Sequence, residues 1–420
     1  MTIKTILLAC GLMAWNGSMQ PSDPVVVGAA TVLATALQDQ RLLLKQSETV
    51  FLQNNPLYLP WLDELEFRYG PDDLYLNEQR AAIRFSANGF RQIKRQKAIH
   101  NLEVDITKAE RRALLQESLV ERYTTLCDLY FLPQLIAAHE HLAQMYDTTR
   151  QAYSYLLAAG AKVDVVDIID AEEDGYDTHD KLMELRGEKA EALQKLKRWM
   201  NASEDVDLQF DAFIGPEQMA QVAASLLAGT QSVSPELAIK TLDVQLEQAQ
   251  WRLEKARQFD IFNFFQIDYQ RPVEPFQLQR DFSARIGLNV PIPGSRRVNQ
   301  REQALAVHQA ENDLQWTAIA QRQLLEQQAL KLNNLIEQQR SLLADNQKSP
   351  VQRLLDSPVA LTNLEAVDIL RLRLIKQKQV INQIEIAYEV AQCYVELLYV
   401  SGAAGAEPLR NYLSPSLAPL

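Results

Sequence analysis

Glycine is scarce in this chain, at 14 of 420 residues, about half the usual share. So few glycines leave little room for tight turns and favour long uninterrupted helices. Cysteine is scarcer still, with only Cys10, Cys127 and Cys393, which excludes a disulfide framework for a fold of this size. Cys127 and Cys393 lie in helix-patterned segments beside Leu126 and Val390, where cysteine serves as a small apolar core residue. Excess positive charge is also missing. The formal net charge of −12 excludes wholesale nucleic-acid binding, since a phosphate backbone needs a basic face. No apolar run can cross a bilayer as a helix: Ile6 to Trp15 is ten residues and Val25 to Leu37 thirteen, against about 20 required. Phosphate loops, dinucleotide fingerprints, nucleophile elbows and zinc-protease helices do not occur. The sequence predicts no enzyme and no cofactor.

Two metal-like patterns fail on geometry. His139-Glu140-His141 puts its imidazoles about 200° apart on a helix, so they cannot share one ion. Asp170 to Gly175 resembles the start of a calcium loop, but Lys181 occupies the position that needs a bidentate carboxylate. The expectation there is a solvated acidic helix face, with no metal.

What the chain does have is the same module twice. Ala82-Ile83-Arg84-Phe85-Ser86-Ala87 opens one copy and Ala284 to Val290 the other. Each leads into a basic helix start, Arg91 to Arg95 and Arg296 to Arg301. Further on, Val163-Asp164-Val165-Val166-Asp167 answers Leu364-Glu365-Ala366-Val367-Asp368. Ile286 lies 203 residues after Ile83, and Asp368 lies 201 after Asp167. A near-constant offset over this length marks an internal duplication.

Residues 1–20 read as a secretory signal, with Lys4 its only charge and a short apolar stretch behind it. An uncleaved, buried N-terminal segment is the alternative. Leu7-Leu8-Ala9-Cys10 imitates a lipoprotein box, but the run before Cys10 is short for one. The first repeat spans 21–202, with a helix over Ala29 to Asn54, a β-hairpin at 62–88 and long helices after it. An irregular insertion fills 203–235. The second repeat spans 236–402, with a β-hairpin at 262–293, and a loosely packed tail covers 403–420.

The strands are expected from period-two alternation. Leu65, Phe67 and Tyr69 alternate with Glu64, Glu66 and Arg68, and Gly70-Pro71 begins the loop. Phe265, Ile267 and Tyr269 alternate with Gln266, Asp268 and Gln270, while Ile286 and Leu288 alternate with Arg285, Gly287 and Asn289. Strands apolar on one side only suit the wall of a barrel. The helices are long: Gly89 to Ala159 contains one interruption, Pro133, expected as a kink. Val367, Leu374, Ile381, Tyr388 and Val395 recur every seven residues, beside a seam of Leu370, Gln377, Ile384, Ala391 and Leu398. Ala318, Leu325 and Leu332, with Ala329, Ile336 and Leu343, repeat this pattern, and sustained heptads predict supercoiled helix pairs.

In the order and duplication of these segments, the chain resembles the outer-membrane efflux protein family, the TolC-like outer-membrane factors. The likeness is strongest over Ala284 to Ala318, Tyr153 to Arg198 and Leu361 to Gly402. The resemblance implies a mainly α fold, in which long antiparallel coiled-coil helices form a tunnel in the periplasm. It also implies four β-strands per protomer in a trimeric twelve-stranded outer-membrane β-barrel. A passive exit duct follows, part of a tripartite efflux or type I secretion system in a Gram-negative cell. Its partners would be two further copies of itself, a periplasmic adaptor, an inner-membrane transporter and outer-membrane lipid.

Asp164, Asp167, Glu365 and Asp368 would then form the pore constriction at the tip, although Asp164 is equally placed to cap a helix. Gly160, Ala161, Lys162, Leu361 and Asn363 would contact the adaptor, with Leu361 standing where the first copy has Gly160. Phe265, Ile267, Tyr269, Ile286 and Leu288 would face lipid. The competing reading is a degenerate periplasmic coiled-coil scaffold that never spans the membrane.

Overall fold

In the computed structural model the chain is described over residues 25–56, 61–71, 79–161, 163–202, 206–210, 212–229, 234–258, 262–270, 282–288, 295–357 and 364–420. The signal region, Lys162, Leu361 and Asn363 lie outside these residues. The elements are β1 (Val25–Gly28), α1 (Ala29–Ala34), a 3-10 turn (Thr35–Gln38), α2 (Gln40–Asn54), β2 (Leu62–Pro71), β3 (Gln79–Ala87), α3 (Phe90–Ala158) and α4 (Val165–Met200). There follow β4 (Val206–Gln209), α5 (Pro216–Ala228), α6 (Pro235–Gln258), β5 (Phe262–Gln270), β6 (Phe282–Leu288), α7 (Ser295–Lys348), α8 (Pro350–Asp356) and α9 (Ala366–Ser401).

Helix α3 has 69 residues and reaches on the order of 100 Å at 1.5 Å per residue. Pro133 sits inside it without ending it, because the neighbouring helices fix the backbone on both sides of the one lost hydrogen bond. One half of α3 packs on α2 and α6, the other on α4 and α9, and α7 closes against α6 and α9. The heptad seam of α9 is buried as its pattern requires, with Leu374, Ile381, Val395, Ala391 and Leu398 all inside. Its polar member, Gln377, donates to the Ala138 carbonyl at 2.8 Å and pairs with His141 Nδ1 at 3.0 Å. A satisfied polar group in an apolar seam fixes the register of the pair. In α7, Leu332 and Ile336 are buried but Leu343 is exposed. Leu342 packs on the core in its place, because the strict seven-residue seam drifts by one position near the helix end.

Four expectations fail. The first helix is broken at Asp39, whose extended backbone starts α2 and whose carboxylate accepts from Arg41 N at 3.0 Å and Ser118 Oγ at 2.8 Å. Strand β2 runs on through Gly70 and Pro71, which pair with Arg80 and Gln79, and a proline is tolerated at the end of an edge strand. The insertion is not irregular. It contains β4, which pairs in parallel with β1 (Val25 opposite Val206), and α5, which starts on Pro216. The tail is not loose either. Ala403, Ala404 and Leu413 join the main core, Tyr123 donates to the Arg410 carbonyl, and Ile214 N donates to the Leu413 carbonyl at 2.8 Å. A backbone buried this way needs partners inside the protein, and the tail and insertion provide them for each other. The turn into the tail needs Gly402, at φ +77, since a Cβ there would stand 2.9 Å from Ser234.

The main core lies at mid-height. Leu119, Tyr123, Leu126 and Cys127 of α3 meet Val390, Ala391, Tyr394 and Leu398 of α9, with Met219 and Ala223 of α5 against them. A second, smaller core of Leu135, Leu142, Leu185, Leu374 and Ile381 runs from there toward the turn between α3 and α4. Burial pushes the Cys127 thiol far up and that of Cys393 to about 11, as suits inert core residues.

Candidate functional site

Two ends of the helical body carry functional geometry. At one end, β2, β3, β5 and β6 form one antiparallel sheet in the order β2-β3-β5-β6. Residues directly opposite each other share a face. The register therefore makes three apolar rows: Leu65–Phe85–Phe265–Ile286, Phe67–Ile83–Ile267–Ala284 and Tyr69–Ala81–Tyr269–Phe282. Much of this face is open, with Phe67 and Ile286 among its most exposed members. Phe85 packs on Phe265 with ring centroids 5.0 Å apart, and Tyr269 on Phe282 at 4.9 Å. Phe265, Ile267, Tyr269 and Ile286, with Leu288 two residues along β6, thus come together on one side.

The other face is polar, and its centre on β5 is buried while Arg68 of β2 and Arg285 of β6 remain exposed. Asp268 is only 3% exposed. It binds Arg80 at 3.0 Å, Arg285 at 3.3 Å and Gln266 Nε2 at 2.7 Å. Arg84 lies over the Phe264 ring at 3.8 Å, and that ring covers Gly287, where a Cβ would collide with it. One face therefore carries charges neutralised by one another, and the opposite face carries bare hydrocarbon. Among the described residues, both outer strands, β2 and β6, present a free edge.

At the other end, α3 stops in a tight cap. Gly160 adopts φ +73, Gly160 N donates to Leu157 O and Ala161 N to Leu156 O, each at 3.0 Å. This pattern ends a helix with an abrupt reversal, and glycine is the residue that takes it without strain. Asp164 then caps α4 by accepting from Val166 N at 3.0 Å. Around the turn, Tyr155, Leu157, Val165, Val166 and Ile169 expose large apolar side chains.

The structure separates the two carboxylates that the repeat equates. Asp167 forms an ion pair with Arg371 of α9, and Arg371 also donates to Tyr153 Oη at 3.4 Å. No such partner reaches Asp368 among the described residues, and Glu365 sits at the N-cap of α9 without a side-chain capping bond.

One heptad further from the turn the arrangement recurs. Tyr146 donates to Asp174 at 2.6 Å, Lys378 binds the same oxygen at 2.9 Å, and the Lys378 ammonium lies 5.7 Å from the Tyr146 ring. Tyr, Asp and a cation on α3, α4 and α9 thus form two rungs tying three helices. Burial and the Asp174 carboxylate push Tyr146 up to about 12. Burial alone would raise Asp174, but the bonds from Tyr146 and Lys378 outweigh it and hold the carboxyl below its ordinary range. The acidic stretch around Asp174 is continuous helix, but its face is not simply solvated, because Glu172 pairs with Arg150 at 3.3 Å and Ala171 and Gly175 are buried. His139 is buried away from His141, and the desolvation lowers its pKa. Sequence reasoning missed the Asp174 rung, although the seven-residue spacing of Tyr146/Tyr153, Asp167/Asp174 and Arg371/Lys378 was there to be read.

No protein-family model and no curated protein matches the chain by sequence. Solved structures do match in fold. CusC, a transmembrane channel, is 15% identical at a TM-score of 0.60, covering 92% of this chain and 95% of its own. The outer-membrane channel OprN is 13% identical at 0.61, covering 90% of each. The Campylobacter jejuni outer-membrane channel CmeC is 11% identical at 0.57, covering 96% and 93%. The chain shares the fold of these channels over 90% or more of its length.

Proposed function

We propose, from the fold shared with those channels, that three copies of this chain form an outer-membrane exit duct. The observation that carries this reading is the β2-β3-β5-β6 sheet, with one apolar open face, one polar face buried at its centre and, among the described residues, two free edges. In lipid a free edge leaves backbone groups unpaired at several kcal/mol each. Pairing β6 of one copy with β2 of the next removes every edge and closes a twelve-stranded barrel. Phe265, Ile267, Tyr269, Ile286 and Leu288 then meet lipid, while Asp268 and its arginines line the water-filled side. A periplasmic scaffold gives such an apolar face nothing to do.

The duct performs no chemistry. Energy comes from an inner-membrane transporter reached through a periplasmic adaptor, and the α3–α4 turn suits that contact. Gly160 and Ala161 reverse the chain there, and the surrounding Tyr155, Leu157, Val165 and Val166 give an adaptor an apolar surface to grip. Lys162, Leu361 and Asn363 belong to the same proposed contact. Asp167 and Asp368, with Asp164 and Glu365 above them, surround the narrow end. With Arg371 neutralising Asp167, the net negative charge of the constriction falls to Asp368 together with Asp164 and Glu365.

Membrane fractionation followed by planar-bilayer recording tests the reading. A trimer extracted only with detergent and forming pores supports it. Release of the protein in osmotic shock fluid overturns it in favour of the scaffold.

A further inference from the structure

We propose that the junction between sheet and helices carries a binding site for the phosphate of an anionic phospholipid in the periplasm-facing leaflet. The inference rests on the outer-membrane reading above. Arg91, Lys94 and Arg95 in the first turns of α3, with Arg252 and Lys255 in the last turns of α6, line one pocket of about 380 Å³. Helix α3 starts just after β3, and α6 ends just before β5, so the pocket lies where strand becomes helix. Among the described residues no carboxylate forms an ion pair with any of the five cations. Glu254, beside them in sequence, is held by Arg257 at 2.5 Å. Lys255 lies 5.0 Å from the Trp251 ring, and in a chain of net charge −12 a pocket of like charges with no counter-charge among the described residues calls for an anion from outside.

The pocket faces the outside of the helical wall. Arg95 stands three, four and five heptads before Gln116, Tyr123 and Tyr130, hence on the same side of a supercoiled helix. That side carries the packed outer layer: Gln116 lies against Gly405, Tyr123 holds the tail at Arg410, and Tyr130 stacks on Phe213. Lys94 likewise stands four heptads before Arg122, which binds Thr35 and stacks on Trp199. A side filled with packed chain is not the open passage.

The level is set by two aromatics. Phe90 is 85% exposed at the start of α3, and Trp61 is 61% exposed just before β2. Asn88 N donates to the Trp61 carbonyl at 2.8 Å, which brings the backbone beside Trp61 next to the start of α3. Exposed aromatics beside cations are characteristic of the boundary between hydrocarbon and headgroups. Arginine forks match the two free oxygens of a phosphodiester, and the acyl chains would lie along the apolar face of the sheet.

The test reconstitutes the full-length protein into phosphatidylethanolamine vesicles with about a fifth phosphatidylglycerol. Insertion is read by flotation, and lipid retained on the re-extracted protein by native mass spectrometry. The wild type should retain phosphatidylglycerol over phosphatidylethanolamine by about fivefold or more. The R91Q/R95Q/R252Q variant should insert normally and lose that preference, and R91K/R95K/R252K should keep most of it. Equal retention of the two lipids by the wild type, or an unchanged preference in the glutamine variant, overturns the site and leaves the duct reading intact. Failure of the wild type to insert overturns both. If millimolar inorganic phosphate abolishes the preference, or if it alone raises the melting temperature of detergent-solubilised wild type but not the glutamine variant, the ligand is free phosphate and the lipid assignment falls.

Discussion

Ile286 and Ser283 lie on opposite faces of β6, and their substitutions discriminate between the two sides of the sheet. Ile286→Arg places a charge on the proposed lipid face and should cost about 2–4 kcal/mol near the membrane midplane, visible as loss of the detergent-extracted trimer. Ser283→Arg, opposite Asp268, should leave that trimer intact. The reverse result would mean the sheet is turned inside out. Leu413 makes a second case. It is buried in the main core from the tail, so Leu413→Ala should lower unfolding stability by about 2–5 kcal/mol in a denaturant titration, whereas a loose tail would show no change. The alternation that orients β5 and β6 is local and could be read directly from sequence. The core role of Leu413 could not, because nothing local says which distant backbone the tail will meet.

At the scale of elements, the two Tyr–Asp–cation rungs tie α3 and α4 to α9 next to the turn. Each side chain of the Asp167–Arg371 pair is more than a third exposed, so the pair alone contributes only about 0.2–1 kcal/mol. On the proposed duct reading, opening the tip would draw α9 away from α3 and α4 and so would release both rungs, one heptad apart. Arg371→Gln should therefore raise the open probability in planar bilayers modestly, and combining it with Lys378→Gln should raise it more than either single change. Equal gating in all three would separate the rungs from the gate.

Acid should act on the same rung. The Asp174 carboxyl is held below its ordinary value, so its stabilisation is present above about pH 4 and is lost as pH falls through the lowered folded value. In acid titrations monitored by circular dichroism, Asp174→Asn should be less stable than wild type at neutral pH, and the difference should vanish at low pH. Long helices and hairpins are legible because periodicity accumulates over many residues. Strands β1 and β4 are four residues each and pair across most of the first repeat, too short for periodicity to register. Helix α5 was hidden by the Gly, Pro and Ser around it, although Pro216 at its first position is itself a helix-start signal.

The whole molecule is a helical body with an unfinished sheet at one end. Since β2 and β6 have no further strand beside them among the described residues, the membrane-inserted form on the proposed reading should be a trimer and nothing smaller. Mass measurement in mild detergent checks this, and a folded, inserted monomer would contradict it. The duplication made the two-repeat plan readable from sequence. What it obscured was asymmetry, since repeat-related Asp167 and Asp368 have different surroundings once Arg371 of one repeat reaches across to the other.

The free edges also have a genetic consequence. If a sheet is completed only by its neighbours, an allele with sound helices but a blocked β6 edge is recruited into assemblies and spoils them. With mutant and normal chains made equally and mixed at random, only about one assembly in eight is wholly normal. Lesions in β6 should therefore behave as dominant, and lesions that unfold the helices, which never reach assembly, as recessive.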